Sequence, residues 1–550
     1  MREFFDLANN PLFVKHVRSR LRRGAIVPAI LLIAFLCAGI IIIDMEFRRP
    51  NAPAFEIAPK IFFYLQGLIL MLIGGAQVAS AVAHIKDTGI IDFHRVTPMP
   101  AKVQTIGIIL GAPIRELVLF TVTLPFSFYA AASGWMGITN WCKLLVVQIG
   151  LAMLYYTVAM VTGLSATTSG KGASGKFVFL FGIMNVLSAN MLYPAGIYGP
   201  TLLTPVPVYE EVFEQDEDNP RNQMRQAARQ QQAMQQAQPQ GPGQQPPRQQ
   251  FNVVPPKPSV TFYSAAIPVV LQSLLFQGTF IAFFFIAASR RMRSGRLPMF
   301  SKPIAVSFMS AIAFLSLGSA WDAPNLVQVL GLLYFLGICA ICLTSSITPP
   351  LGEVVKGIQR AQRMSGSNVP RWSDLASNNV VVSIFAATVG VACALSILLA
   401  PKPPLLFFVL RNPFEPWAPV AVGVLTILAS GFAQQYMNLA YHRRAASFFT
   451  LFIVGVWFVP LGIGGLLSLS DSEVSTFILA LTPLAGIAFA GGTGIGACDP
   501  GAIRAIALMP GALMTVVFGL LLINEKKKLR ASVLSEKRDS QVKKEFDPSA

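Results

Sequence analysis

Few side chains in this 550-residue chain stand at spacings that support chemistry. The closest approach to a nucleotide site is the run Gly170-Lys171-Gly172-Ala173-Ser174-Gly175-Lys176-Phe177. It follows the phosphate-cradling pattern G-x-x-x-x-G-K-[ST] up to its last position, where a hydroxyl would hold Mg²⁺ and Phe177 stands instead. The pattern also belongs after a β-strand, and this run follows an apolar stretch of membrane-spanning length, so it reads as a flexible, positively charged loop. Cys339 and Cys342 form a C-x-x-C inside another apolar run, whereas redox pairs of that spacing work in soluble folds beside a strand. The four histidines (His16, His84, His94, His442) form no H-E-x-x-H, and no G-x-S-x-G occurs. Gly491, Gly492, Gly494 and Gly496 follow no strand, which excludes a dinucleotide fingerprint. The expectation is a chain that is not an enzyme, with no catalytic residue, no metal and no cofactor bound by itself.

Charged and amide groups inside apolar runs are the remaining candidates, because burial in hydrocarbon is costly unless the group is used or paired. Arg115 and Glu116 follow Pro113 near the end of an apolar run, where snorkelling or a local ion pair explains them. Gln66 and Gln148 lie deeper and read first as interhelical hydrogen bonders, together with Gln77, Asn185, Gln272, Gln277, Gln434 and Asn438. The repeated Asp, Glu or His relay of an ion-driven carrier is missing, which weakens that reading.

The elements that must position these groups are transmembrane helices. The chain is 53% hydrophobic and 13% charged, half the charge of an ordinary soluble domain. Its apolar residues fall in runs at 25–43, 61–83, 113–132, 144–167, 177–196, 262–288, 303–320, 326–348, 379–400, 418–441, 447–468 and 503–523. A span needs about 20 residues for a hydrocarbon core of ~30 Å, so the fold class is all-α, a polytopic membrane protein of about 12 helices. The run at 25–43 is too long for a signal-peptide core and reads as an uncleaved first span. With the N-terminus inside, 30 of the 43 Lys and Arg residues fall in inside segments, which places both termini in the cytoplasm. The net charge of +17 therefore reports topology, and no nucleic-acid partner is expected.

Residues 476–496 are apolar enough to form a thirteenth span, but that would export the basic tail after Asn524. With Pro483 in its middle, this stretch reads as a re-entrant or buried helix–loop. Thr482-Pro483 has a counterpart in Thr204-Pro205, each pair preceding a last span and a basic stop. The chain then divides into a surface helix at 1–23, a six-span unit at 24–300, a second at 301–523, and a basic cytoplasmic tail at 524–550. Residues 210–258, acidic and then Gln/Pro-rich, form a disordered extracytoplasmic loop within the first unit.

The inside segment between the second and third spans carries the most information. Acidic residues at 87 and 92, apolar residues at 90, 91, 93 and 96, and the Thr97-Pro98 stop describe a short amphipathic helix able to dock in a partner's groove. In this order of residues the chain resembles the permease subunits of ABC-2-type ATP-binding-cassette transporters, whose coupling helix combines an acidic residue, a Gly, a second acidic residue and a Thr-Pro. The resemblance assigns the ATPase-coupling helix to Lys86, Asp87, Gly89, Asp92, Arg95, Thr97 and Pro98. It also implies an amphipathic helix along the inner surface, matched here by Pro11, Phe13, Val17 and Leu21. The matching loop of the second half, 351–379, lacks this order, so docking there does not follow. What the resemblance implies is an exporter permease in the bacterial inner membrane, coupled to a separate cytoplasmic ATPase that binds and hydrolyses ATP. A homodimer of the whole chain stays open, as does the rival reading of a non-transporting membrane anchor or assembly protein.

Overall fold

A computed structural model describes residues 10–46, 55, 57–96, 99–166, 170–193, 197–214, 262–295, 297–322, 325–365, 369–370, 372–399, 415–441, 444–468, 473–491 and 499–546. Among these, the regular structure is helical apart from one isolated bridge, Phe262 to Ala265. Twelve helices are long and apolar enough to cross a membrane, and each overlaps one of the twelve apolar runs read from the sequence. The chain forms two compact units, one made of Met1–Val260 with Ala266–Arg293 and the other of Thr261–Ala265 with Ser294–Ala550. Each unit holds six of the twelve.

In the first unit a surface helix, α1 (Pro11–Arg20), precedes the spans α2 (Arg23–Glu46) and α3 (Ala58–Asp87). Asn10 caps α1, its Oδ1 accepting from the Leu12 and Phe13 amides, and Pro11 occupies the first turn where its missing N–H costs nothing. Leu12 is the residue α1 buries, while Phe13, Val17 and Leu21 are half-buried and Pro11 is exposed. Asp44, buried near the end of α2, accepts from the amides of Ile57 and Ala58 and so caps α3.

A seven-residue helix, α4 (Ile90–Val96), and an eleven-residue one, α5 (Ala101–Gly111), then lead to the span α6 (Ile114–Ser133). At 1.5 Å per residue α5 reaches about 17 Å, too short to cross. In the sequence its apolar residues merge with those of the third span. The spans α7 (Gly137–Ser165), α8 (Gly170–Leu187) and α9 (Val269–Arg293) complete the unit.

Two expectations change here. Residues 170–176 are the opening turns of α8, not a loop, because Phe177 is packed in the interior and continues the helical register. The sixth span begins at Val269 and not at 262, since Phe262 and Ala265 form a tight turn with Tyr263 and Ser264 at positive φ, and Pro268 precedes the helix.

α3 is stitched to α7 by polar side chains reaching backbone carbonyls. Gln148 donates to the Phe63 carbonyl at 2.9 Å, and the Tyr156 hydroxyl to that of Leu70 at 2.9 Å. Leu70 lies in a π-helical stretch, Leu68–Ile73, whose wider turn leaves carbonyls available.

In the second unit the spans are α10 (Lys302–Ser319), α11 (Asn325–Ile347), α13 (Asn379–Leu399), α14 (Trp417–Ala440), α15 (Ala445–Ser468) and α18 (Pro500–Phe546). Between α11 and α13 runs a strongly amphipathic helix, α12 (Leu351–Ser365). Two eight-residue helices, α16 (Glu473–Ala480) and α17 (Pro483–Ala490), precede α18. Each is about 12 Å long and neither can span, so the helical part of 476–496 is broken at Thr482-Pro483; residues 492–496 lie outside the described residues. The tail does not separate from the last span: α18 continues as one helix of 47 residues, about 70 Å.

Candidate functional site: the helix after the second span

α4 is positioned from both ends. The second span closes on Thr88, whose amide donates to the His84 carbonyl at 3.0 Å, and Gly89 follows at φ +71°. A side chain there would be strained, and this left-handed residue turns the chain from α3 into α4. Lys86, at the last turn of α3, donates from Nζ to the carbonyls of Leu164 (3.1 Å) and Ala166 (2.5 Å), which are otherwise the free acceptors at the end of α7. Arg95 does the same for α9. Its Nε donates to the Met292 carbonyl at 3.1 Å and its Nη2 to that of Arg291 at 3.3 Å, while Nη1 pairs with Asp92 at 2.5 Å. Lys86 therefore ties the end of the second span to that of the fourth, and Arg95 ties α4, which follows the second span, to the end of the sixth.

The outward side of α4 is unusual for a membrane-adjacent helix. Ile91 is buried and Ile90 half-buried, but Phe93 is 66% and Val96 79% exposed, and the Asp92 side chain is 73% exposed. Asp87 is exposed as well. Two largely exposed apolar side chains beside two carboxylates, on a helix tied to the sixth span by Arg95, make a small surface suited to docking. Thr97 and Pro98 lie outside the described residues.

The other residues singled out in the sequence do not join this surface. Gln66 donates to Thr123 Oγ1 (3.0 Å) and Ser127 Oγ (2.9 Å) of α6, an interhelical bond like that of Gln148. Arg115 Nε lies 3.4 Å from Glu116 Oε1; Glu116 is 1% exposed and neither of its oxygens accepts a hydrogen bond. Thr204 donates to the Thr201 carbonyl at 2.7 Å, and Pro205 precedes the helical turn Val206–Tyr209. Thr482 instead caps α17, its Oγ1 accepting from the Ala485 amide at 3.0 Å, with Pro483 in the first turn.

α1 docks on α5 beside this region. The Asn10 side chain donates to the Val103 carbonyl at 2.8 Å, and a Cβ at Gly107 would stand 2.6 Å from Asn10 Oδ1. At Gly111 it would stand 3.1 Å from His16 Cβ, so Gly107 and Gly111 form a small-xxx-small seat. Burial, reinforced by Arg20 and Lys15, lowers His16 from the usual value of 6.5 to about 4. The undocked helix binds a proton below about pH 6.5 that the docked one refuses, so docking weakens as pH falls from about 6.5 and levels off below about 4. The maleimide labelling rate of a Leu12→Cys variant, divided by that of Leu12→Cys with His16→Leu to cancel the common loss of thiolate, is expected to rise as pH falls over that window.

The fold and this site define an all-α, polytopic membrane protein with a short surface helix that follows its second span and is tied to its sixth. Comparisons with protein-family models, curated proteins and solved structures find no match.

Proposed function

We propose that the chain is the membrane-embedded permease subunit of an ABC-2-type ATP-binding-cassette transporter, working as an exporter. It would lie in the bacterial inner membrane with both termini in the cytoplasm, and ATP would be bound and hydrolysed by a separate cytoplasmic subunit. The observation that carries the reading is α4, which offers Asp92, Phe93 and Val96 outward while Arg95 grips the end of α9, and Lys86, just before α4 on the second span, grips that of α7. A partner that moved α4 would move the ends of α3, α7 and α9 with it. The direction of force thus runs from a soluble docking surface into the bundle, which is what an ATP-driven permease requires and what an inert anchor has no use for.

The test is recovery of the partner from native membranes. Full-length protein is expected to co-purify with an ATPase subunit and with ATP hydrolysis. Phe93→Asp with Val96→Asp removes the apolar contacts while leaving the residues that tie α4 down. Recovery should then fall at least tenfold, since two buried apolar anchors are worth about 1.5–3 kcal/mol each. Absence of an ATPase from the wild-type preparation would sink the proposal, as would undiminished recovery with Asp87→Lys and Asp92→Lys.

A further inference from the structure

The second unit holds a half-open cavity of about 230 Å³ beside the end of α14 and the point where the apolar part of α18 stops. The apolar run of α18 stops at Ile523 and the basic residues Lys526, Lys527, Lys528 and Arg530 begin within a turn. The cavity therefore stands where hydrocarbon gives way to headgroups. Val354 and Ile358 of α12 line it, together with Leu375 and Leu529. Its polar lining includes Lys526 and Arg530, one turn apart on α18, and the amides Asn378 and Gln435.

Those amides are held in place with bonding capacity left over. The Asn378 amide donates to Gln435 Oε1 at 3.0 Å and Asn378 Nδ2 to Thr348 Oγ1 at 3.2 Å. Among the described residues, Asn378 Oδ1 and Gln435 Nε2 have no hydrogen-bond partner, although the two residues are 1% and 4% exposed. An unpaired acceptor and an unpaired donor buried on one cavity wall are costly unless a ligand meets them.

The charges agree. Lys526 Nζ donates to the neutral Asn379 Oδ1 at 2.8 Å, and among the described residues no carboxylate stands within ion-pair distance of it. Lys302, fully buried, donates to the carbonyls of Ala376 (2.9 Å) and Ser377 (3.1 Å), which belong to the cavity wall, so a third positive charge stands behind it. Asp374 is the acidic group that acts on Lys302.

We propose that this cavity binds the phosphate headgroup of an anionic membrane lipid. Phosphate oxygens accept from Lys526, Arg530 and Gln435 Nε2, a headgroup hydroxyl donates to Asn378 Oδ1, and the adjoining carbons lie against Val354, Ile358 and Leu529. The cavity takes a phosphoglycerol group, and the acyl chains stay in the bilayer. Basic pockets at the ends of transmembrane helices hold lipid headgroups by this combination of charge and apolar wall. The inference stands apart from the proposed function, since it involves neither α4 nor an ATPase.

Native mass spectrometry of the full chain in neutral detergent, titrated with phosphatidylglycerol or phosphatidylcholine, tests it. Phosphatidylglycerol is expected to bind saturably and at least tenfold more tightly than phosphatidylcholine. Lys526→Gln with Arg530→Gln should weaken it at least tenfold. Lys527→Gln with Lys528→Gln removes the same formal charge from exposed positions of α18 and should weaken it less than twofold. Ile358→Trp fills the cavity without changing charge and should abolish retention at an unchanged melting temperature; Ala361→Leu replaces it should that variant unfold. Equal loss from both charge pairs, or full retention in a folded cavity-filling variant, would overturn the site. Binding of glycerol phosphate or inorganic phosphate with none of phosphatidylglycerol would overturn the lipid and leave a soluble phosphate compound as occupant.

Discussion

Arg95→Ala is expected to reduce ATP-coupled turnover at least tenfold while leaving the protein folded. The side chain makes two bonds to the last carbonyls of α9 and one to Asp92 within α4. Those carbonyls sit at a helix end, where water replaces the lost donor, so the cost to stability is about 1 kcal/mol. The cost to coupling is larger, because Arg95 is a charged side chain of α4 that reaches the end of the sixth span. Arg95→Lys keeps the charge but loses the planar fork that reaches two carbonyls at once, and should fall between the two. Amide exchange over 90–96 gives a readout independent of transport. It should accelerate in Arg95→Ala whether or not the partner is an ATPase, whereas turnover falls only if α4 transmits force. Unchanged turnover with accelerated exchange would leave α4 a surface helix and nothing more.

Twelve spans were legible because transmembrane helices declare themselves through length and apolarity alone, and each of the twelve apolar runs coincides with a helix. The break at Thr482-Pro483 was legible for a local reason, a hydroxyl cap followed by a first-turn proline. The elements that escaped are those whose character depends on neighbours. α5 is continuous in hydropathy with the third span, and only the halt around Pro113 separates them. α12 carries a readable amphipathic period in Val354, Ile358 and Ala361, yet it lies in a segment read only for its likeness to the first half.

The candidate site divides in the same way. That 87–96 forms a small amphipathic surface element follows from residue types, but the split within it does not. Ile91 turns inward while Phe93 and Val96 turn out, because Arg95 fixes the roll of α4 through carbonyls distant in sequence. The cavity beside α18 was equally hidden. Its unpaired groups, Asn378 and Gln435, are 57 positions apart and look in sequence like two ordinary amides.

The near-miss at 170–177 yields the other large effect. Phe177→Ser completes the string G-x-x-x-x-G-K-S, yet it is expected to create no ATP binding and to destabilise the first unit by about 3 kcal/mol. Phe177 is 1% exposed and its ring lies against α3, where a Cβ at Gly75 would meet the Phe177 Cζ at 2.3 Å. It also stands edge-on to Tyr155, with ring centroids 6.3 Å apart. Serine removes that ring from a contact which glycine was needed to admit. Lipid surroundings lower the transfer part of the loss, because an unpacked ring has hydrocarbon and not water as its alternative, so the estimate sits at the low end for a phenylalanine deletion. The lost dispersion contacts remain. Three further variants separate packing from motif chemistry: Gly75→Ala should destabilise on its own by overpacking, and Gly75→Ala with Phe177→Leu should cost less than Gly75→Ala and Phe177→Leu added together. Thermal unfolding in detergent measures all five proteins. ATP binding by Phe177→Ser, at unchanged stability, would mean that the segment is a phosphate loop after all.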